Sequence, residues 1–324
     1  MGGSAATSED ISSYYDSHSH YTRARNANEA FVQRRLHKNL DPQKMKNGIR
    51  ESCDSIECPN SRAIAIGFDE TGSMGNIPYR FIKDGLKRFI KIIQGDALSY
   101  EPHILYTAIG DVRCDDVPLQ VTQFEADTRM IDQLGLFYLE GGGGGNNGES
   151  YELPWYFLAK HTKIDCFNKR GIKGIYFSVG DDKPHDYLSS NQIKEVFGPN
   201  EPIEVSRYTT SQLRDMASKR YLLYHIMVRG SYDYASYHVP ETWHSLLGNH
   251  VARLDNYEYL PELLATILKI QDGMEKPEAI NMLETPEARK VVTSALRGFQ
   301  VYDEGFNRPN APGDHTPSSS INFF

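Results

Sequence analysis

The feature that most constrains this chain is an apolar segment of strand length, residues 63–68, that ends in Asp69. The residues that follow place two hydroxyl groups, those of Thr71 and Ser73, in a segment too rich in glycine to continue the strand. One carboxylate and two hydroxyls at the carboxyl end of a buried strand are oxygen ligands that suit a small hard cation such as Mg²⁺. The alternative interpretation is a strand followed by an ordinary polar turn.

Two further predicted strands also end beside carboxylates. Residues 103–109 are apolar and lead to Asp111, and residues 173–179 lead to Asp181 and Asp182. Ligands of doubly wound sheets bind outside the carboxyl ends of the strands. Three acid-terminated strands therefore predict one shared site at that edge of the sheet.

Apolar runs of strand length alternate with segments of helical periodicity along most of the chain. Helices are predicted over residues 79–94, 128–135, 150–161, 211–219, 238–247 and 258–271, and further strands over 117–124, 221–228 and 250–254. This alternation predicts an α/β fold with a doubly wound, mostly parallel sheet and helices on both faces.

The segments on either side of this region read as arms. The predicted organisation is an N-terminal arm with one helix (1–60), the α/β domain (61–273), and a C-terminal helix and tail (274–324). Residues 1 to about 25 lack apolar periodicity and predict an extended arm, whereas the helix of that arm is predicted from Asn28 onward. A second helix is predicted over 285–298, and a chain of residues 58–274 is expected to fold alone because it contains every predicted strand.

Five consecutive glycines begin at Gly141, and Gly143, Gly145 and Gly148 match the dinucleotide-binding pattern G-x-G-x-x-G. That pattern belongs to the first strand-turn-helix unit of a Rossmann fold, whereas this segment follows two earlier units. No strand ending in an acid follows at the required distance. The sequence therefore favours a metal-site loop, with a flexible loop before a helix as the alternative.

The three motifs in this order resemble von Willebrand factor A (VWA) domains over residues 63 to about 272, as in uncharacterised members from bacteria and large bacteriophages. The D-x-T-x-S spacing of the first loop is that of the family's metal-ion-dependent adhesion site (MIDAS). The resemblance implies that Asp69, Thr71 and Ser73 bind Mg²⁺ or another divalent cation, together with Asp181 from the segment VGDDKPH.

The second loop departs from the family pattern. Asn146, Asn147 and Glu149 stand where the family has a threonine ligand. We assign Glu149 as the fifth metal ligand. The alternative is that Glu149 lies in the first turn of the following helix and stabilises it through the helix dipole.

The predicted function is a metal-ion-dependent protein-binding module, not an enzyme, that captures an acidic side chain of a partner. One alternative is a structural or assembly protein, such as a phage virion component, that contacts its neighbours through the terminal arms. A third hypothesis is a metal-assisted hydrolase in which Asp111, Asp182 and His185 act as acid or base.

Charge and hydropathy restrict the partners and the location. A net charge of -8 and a pI near 5.8 argue against nucleic acid as the main partner. No apolar run approaches the roughly 20 residues of a membrane helix, and the first residues do not resemble a secretory signal. The expected partner is a protein, either further copies of this chain or a larger assembly, in the cytoplasm or, if a phage encodes the chain, in the virion.

Overall fold

A six-stranded sheet lies at the centre of the protein, whose computed structural model describes residues 7–18, 23–70, 74, 77–94, 98–140, 148–228 and 238–304. The strands in chain order are β1 (Arg50–Ser52), β2 (Ser61–Asp69), β3 (Glu101–Ile109), β4 (Leu119–Val121), β5 (Thr162–Ile164), β6 (Gly174–Gly180), β7 (Tyr187–Ser189), β8 (Arg207–Thr209), β9 (Tyr221–Val228) and β10 (Val251–Leu254). The central sheet has the order β10-β9-β6-β2-β3-β4, and only β4, at its edge, is antiparallel to its neighbour. This confirms the predicted fold class.

Helices cover both faces of the sheet. They are α1 (Ser8–Ser17), α2 (Ala27–Ala30), α3 (Ile77–Arg80), α4 (Leu86–Ile93), α5 (Arg129–Leu134), α6 (Glu152–Lys160), α7 (Asp165–Arg170), α8 (Ser190–Phe197), α9 (Thr210–Ala217), α10 (Val239–Leu247), α11 (Leu260–Gln271), α12 (Lys276–Asn281) and α13 (Pro286–Ala295). A π-helical turn over Phe81–Gly85 joins α3 to α4. Within the described ranges, no helix is long and apolar enough to cross a membrane.

Successive residues of the central strands point to opposite faces, so the sheet separates two hydrophobic cores. Ile64 and Ile66 of β2 pack in the core formed with α3, α4, α5 and α11, whereas Ala63 and Ala65 pack in the core formed with α6, α8, α9 and α10. Every residue of β2 is buried. Burial on both faces explains why the parallel strands read as continuous apolar runs.

The N-terminal segment differs from the prediction in two places. Residues 8–17, expected to be extended, form α1, which Thr7 caps by accepting a hydrogen bond from the backbone N–H of Asp10. Ile11 and Tyr15 of this helix are buried in the core under α4. Two apolar residues one turn apart are too few to predict a helix from the sequence, although their burial suffices to dock a capped helix on the core.

The helix predicted from Asn28 is only one turn long, over Ala27–Ala30. Phe31 then adopts an extended conformation, and Leu40 is fully buried beyond it. An irregular segment therefore carries both apolar side chains into the core, and the apolar spacing does not continue as a helix.

The predicted C-terminal helix is confirmed as α13. Thr285 is its N-cap and accepts a hydrogen bond of 3.1 Å from the backbone N–H of Ala288. Val292 of α13 and Phe299 beyond it are buried in the same core as β2 and α11. Because both flanking segments belong to the core of the sheet domain, the structure argues against independent folding of residues 58–274.

Candidate functional site

Three buried carboxylates stand at one edge of the central sheet. Asp69 is the last residue of β2, Asp111 lies two residues beyond β3, and Asp181 directly follows β6. Strands β6, β2 and β3 are adjacent and parallel, so their carboxyl ends meet at this edge. The exposed fractions of the three residues are 0%, 0% and 2%. The prediction that the acid-terminated strands share one edge is confirmed.

Tyr151, which the sequence analysis did not identify, lies among these carboxylates. Its hydroxyl donates a hydrogen bond of 2.5 Å to Oδ2 of Asp69, and its side chain is fully buried. Burial, with a further contribution from Asp69 and Asp181, raises the pKa of Tyr151 well above its usual range. The hydroxyl therefore remains a proton donor and orients the Asp69 carboxylate.

Glu149 approaches the same edge from the segment after the glycine loop. Its backbone N–H donates to the carbonyl of Lys183 at 2.9 Å, which pairs the segment with the chain beyond β6. Burial, followed by the charges of Asp69 and Asp111, raises the pKa of Glu149 to about 10. Among the described residues, its Oε2 atom is buried and accepts no hydrogen bond.

The alternative that Glu149 lies in the first turn of the following helix is wrong. Helix α6 begins at Glu152, and Tyr151 is its N-cap, so Glu149 lies outside the first turn. The acid of the first turn is Glu152, whose Oε2 accepts a hydrogen bond of 3.2 Å from the backbone N–H of His185. The dipole of α6 therefore acts on a different carboxylate from the one assigned to the metal.

Asp111 belongs to a second network beside the first. Its Oδ1 atom lies 2.8 Å from Nε2 of His185 and accepts hydrogen bonds from the backbone N–H of Arg113 at 2.9 Å and the Ser150 hydroxyl at 3.3 Å. Both Asp111 and His185 are buried. These contacts connect the loops after β3 and β6 with the segment before α6. Two of the three residues named for a hydrolase therefore contact each other.

Glu70 is a further buried acid that the sequence analysis left unassigned. Its Oε2 atom accepts a hydrogen bond of 2.9 Å from Gln120 of β4, and its backbone N–H extends the pairing of β2 with β3. Burial raises the pKa of Glu70 well above its usual range. The only sign of Glu70 in the sequence is its position next to Asp69. That position does not predict burial, because no sequence pattern separates a buried glutamate from an exposed one at the end of a strand.

The remaining predicted ligands, Thr71 and Ser73, lie outside the described residues, as do Asn146 and Asn147. Within the described ranges, no group of three His, Cys, Asp or Glu side chains is arranged to hold a metal ion. Carboxylate oxygens are nevertheless the ligands that a hard cation prefers. The buried Oε2 atom of Glu149 has no hydrogen-bond partner among the described residues and is available to such a cation. The metal assignment thus stays a prediction.

The fold and this edge define an α/β protein with an acidic, buried cluster at the carboxyl ends of its parallel strands. Comparison with solved structures gives partial matches. The pilus adhesin SpaC from Lactobacillus rhamnosus GG matches 65% of this chain and 31% of its own, at 12% identity and a TM-score of 0.44. A von Willebrand factor type A structure from Catenulispora acidiphila matches 66% of this chain and 42% of its own, at 10% identity and a TM-score of 0.34.

Proximal thread matrix protein 1 from the mussel byssus matches 65% of this chain and 46% of its own, at 10% identity and a TM-score of 0.39. The matched region covers less than half of each of these three proteins. Likenesses of this strength establish neither family membership nor function. No protein-family model matches the sequence, and comparison with curated proteins gives no match.

Proposed function

We propose that this protein is a metal-ion-dependent protein-binding module whose cation is held by Asp69, Thr71, Ser73, Glu149 and Asp181. The observation that carries the proposal is the hydrogen bond from the buried Tyr151 hydroxyl to Asp69, at the edge where Asp181 and Glu149 are also buried. Such crowding of buried carboxylates raises their free energy unless protons or a cation neutralise them. A divalent cation would take the place of the proton that Glu149 otherwise retains.

The two hydroxyls and three carboxylates supply five oxygens, one fewer than the six that Mg²⁺ prefers. A carboxylate of a partner would supply the sixth oxygen, so binding of the partner would require the cation. The proposal includes a protein as the partner, no enzymatic reaction, and a location in the cytoplasm or in a virion. The net charge of -8 supports a protein over nucleic acid.

The alternative of assembly through the terminal arms gains no support from the described residues. Ile11 of α1 and Val292 of α13 are buried against the chain's own core, so these parts of the arms are not available to neighbours. The hydrolase alternative rests only on the contact between Asp111 and His185. Neither alternative has an observation comparable to the carboxylate cluster.

We expect Mg²⁺ to stabilise the protein against heat. Ligand binding to the native state alone adds about 2.7 kcal/mol at 100 times the dissociation constant, which corresponds to about 4 °C for a chain of this length. Asp69→Asn should abolish the difference between melts in excess Mg²⁺ and in chelator. Asp116→Asn, which removes an exposed carboxylate near the same edge, should preserve it. Coincident melts of the unsubstituted protein in both buffers would exclude the metal site.

Replacing Glu149 by threonine is expected to weaken Mg²⁺ binding about tenfold, or about 1.4 kcal/mol, because the ligand set loses one negative charge. The remaining cation should then attract an incoming carboxylate more strongly, so the affinity for an acidic partner should rise. Titration calorimetry measures the first effect. Glu149→Gln retains the side-chain size and should show the same loss. Unchanged Mg²⁺ affinity in both variants would remove Glu149 from the ligand set.

A further inference from the structure

Two arginine side chains lie over the ring of one exposed tyrosine near the acidic edge. The Cζ atoms of Arg113 and Arg207 lie 5.9 and 5.2 Å from the centre of the Tyr187 ring, which is 39% exposed. We call these three residues the arginine–tyrosine surface. Both arginines are exposed, and neither forms an ion pair within the described ranges. Two guanidinium groups therefore lie on one ring without an ion-pair partner, although the exposed carboxylates of Asp186 and Asp116 are one residue before Tyr187 and three after Arg113.

The two-stranded sheet of β7 and β8 builds this surface through its register. Ser189 pairs with Arg207 and Tyr187 pairs with Thr209, so Tyr187 and Arg207 are diagonal neighbours on one face. Leu188 points to the other face and is fully buried. The buried leucine fixes which face is inward and therefore keeps the tyrosine and the arginine in solvent.

Hydrogen bonds attach this surface to the Asp111–His185 network beside the candidate metal site. The backbone N–H of Arg113 donates to Asp111, and the same carboxylate atom contacts His185, two residues before Tyr187. Arg113 and Tyr187 thus lie two residues after Asp111 and His185, which form one buried contact. Because Tyr187 lies six positions after Asp181, their Cα atoms lie within about 21 Å of each other. An extended peptide of about six residues spans that distance.

We propose that the arginine–tyrosine surface binds a second carboxylate of the same acidic segment whose first carboxylate coordinates the metal. This inference rests on the proposed function. Guanidinium groups bind carboxylates through two parallel hydrogen bonds, and stacking on the ring holds both arginines ready for that contact. The partner would therefore present two acidic residues at most about six positions apart. The surface selects an acidic segment over a single isolated carboxylate.

The test uses the full-length chain and a fluorescent peptide of six glutamates, with six glutamines as the uncharged probe. Anisotropy at low ionic strength should show binding of the glutamate peptide in Mg²⁺ and no binding of the glutamine peptide. Arg113→Gln/Arg207→Gln should weaken peptide binding about tenfold while leaving Mg²⁺ affinity unchanged. The matched control, Lys290→Gln/Arg297→Gln, removes the same two charges from exposed positions on and after α13 and should bind as the unsubstituted protein does.

Each outcome separates the two proposals. Peptide binding that chelation abolishes but the arginine variant retains would overturn the arginine–tyrosine surface and leave the metal-dependent module in place. Binding that the arginine variant loses but chelation does not affect would support the surface and overturn the metal-dependent function. Equal weakening in the control variant would reduce the effect to net charge and overturn the surface.

Discussion

Alanine at position 180 is expected to lower the free energy of unfolding by about 3 kcal/mol. A Cβ atom there would lie 1.7 Å from the Tyr151 hydroxyl oxygen and 2.5 Å from the ring carbon that bears it. The ring cannot move aside easily, because it is fully buried and packs edge-on against His225 and Trp243. The displaced tyrosine would also lose its hydrogen bond to Asp69. Urea unfolding measures the first effect, and Mg²⁺ titration measures the second.

Gly171→Ala is the control for a glycine-to-alanine change that meets no neighbouring atom. Gly171 has a φ of 71°, and no atom lies within 4 Å of a Cβ built there, so alanine should cost only about 1 kcal/mol. Gly180→Ala should therefore unfold at distinctly lower urea than Gly171→Ala. Equal midpoints would show that the close approach of Tyr151 to Gly180 is not a constraint on the native state.

A chain trimmed to residues 58–274 is expected to lose its cooperative thermal transition. Trimming removes buried apolar side chains from the core on one face of the sheet, namely Ile11, Tyr15, Phe31, Leu40, Val292, Leu296 and Phe299. Each contributes about 1.5–3 kcal/mol through burial, and their sum approaches or exceeds the about 5–15 kcal/mol net stability of a typical domain. Calorimetry of the trimmed chain measures the result.

Two comparisons make this result specific. A chain that ends at Glu304 keeps every described contact and should melt with the full-length protein. Phe299→Ala in the full chain should cost about 3–5 kcal/mol, since it leaves a cavity in the core. A trimmed chain that melts within a few degrees of the full-length protein would show instead that the arms are dispensable for folding.

The metal assignment depends on sequence and structure in different ways. The order of strands and acids along the chain predicted that Asp69, Asp111 and Asp181 share one edge, because parallel strands align their carboxyl ends. Their division into two groups was not predictable. Asp69 contacts Tyr151, whereas Asp111 contacts His185, and these pairings join residues 82 and 74 positions apart.

The arms show a similar division. The spacing of Thr285, Pro286 and the apolar residues of α13 predicted a capped helix, because capping and amphipathicity are local properties. The burial of α1 against α4 depends on a surface that residues far along the chain create, so the sequence of α1 alone could not reveal it. Local sequence signals predict that a helix or strand forms, whereas its burial depends on the other elements that pack against it.

By itself, the sequence determined the alternation of strands and helices, the parallel sheet, and the presence of an acid at three strand ends, because all three follow from periodicity and local composition. Tertiary structure alone decided that Glu149 is buried where the charges of Asp69 and Asp111 raise its pKa, that Tyr151 donates a hydrogen bond to Asp69, and that two arginines meet on Tyr187. The physical reason is that these contacts join distant loops, whose approach depends on the packing of both cores around the sheet.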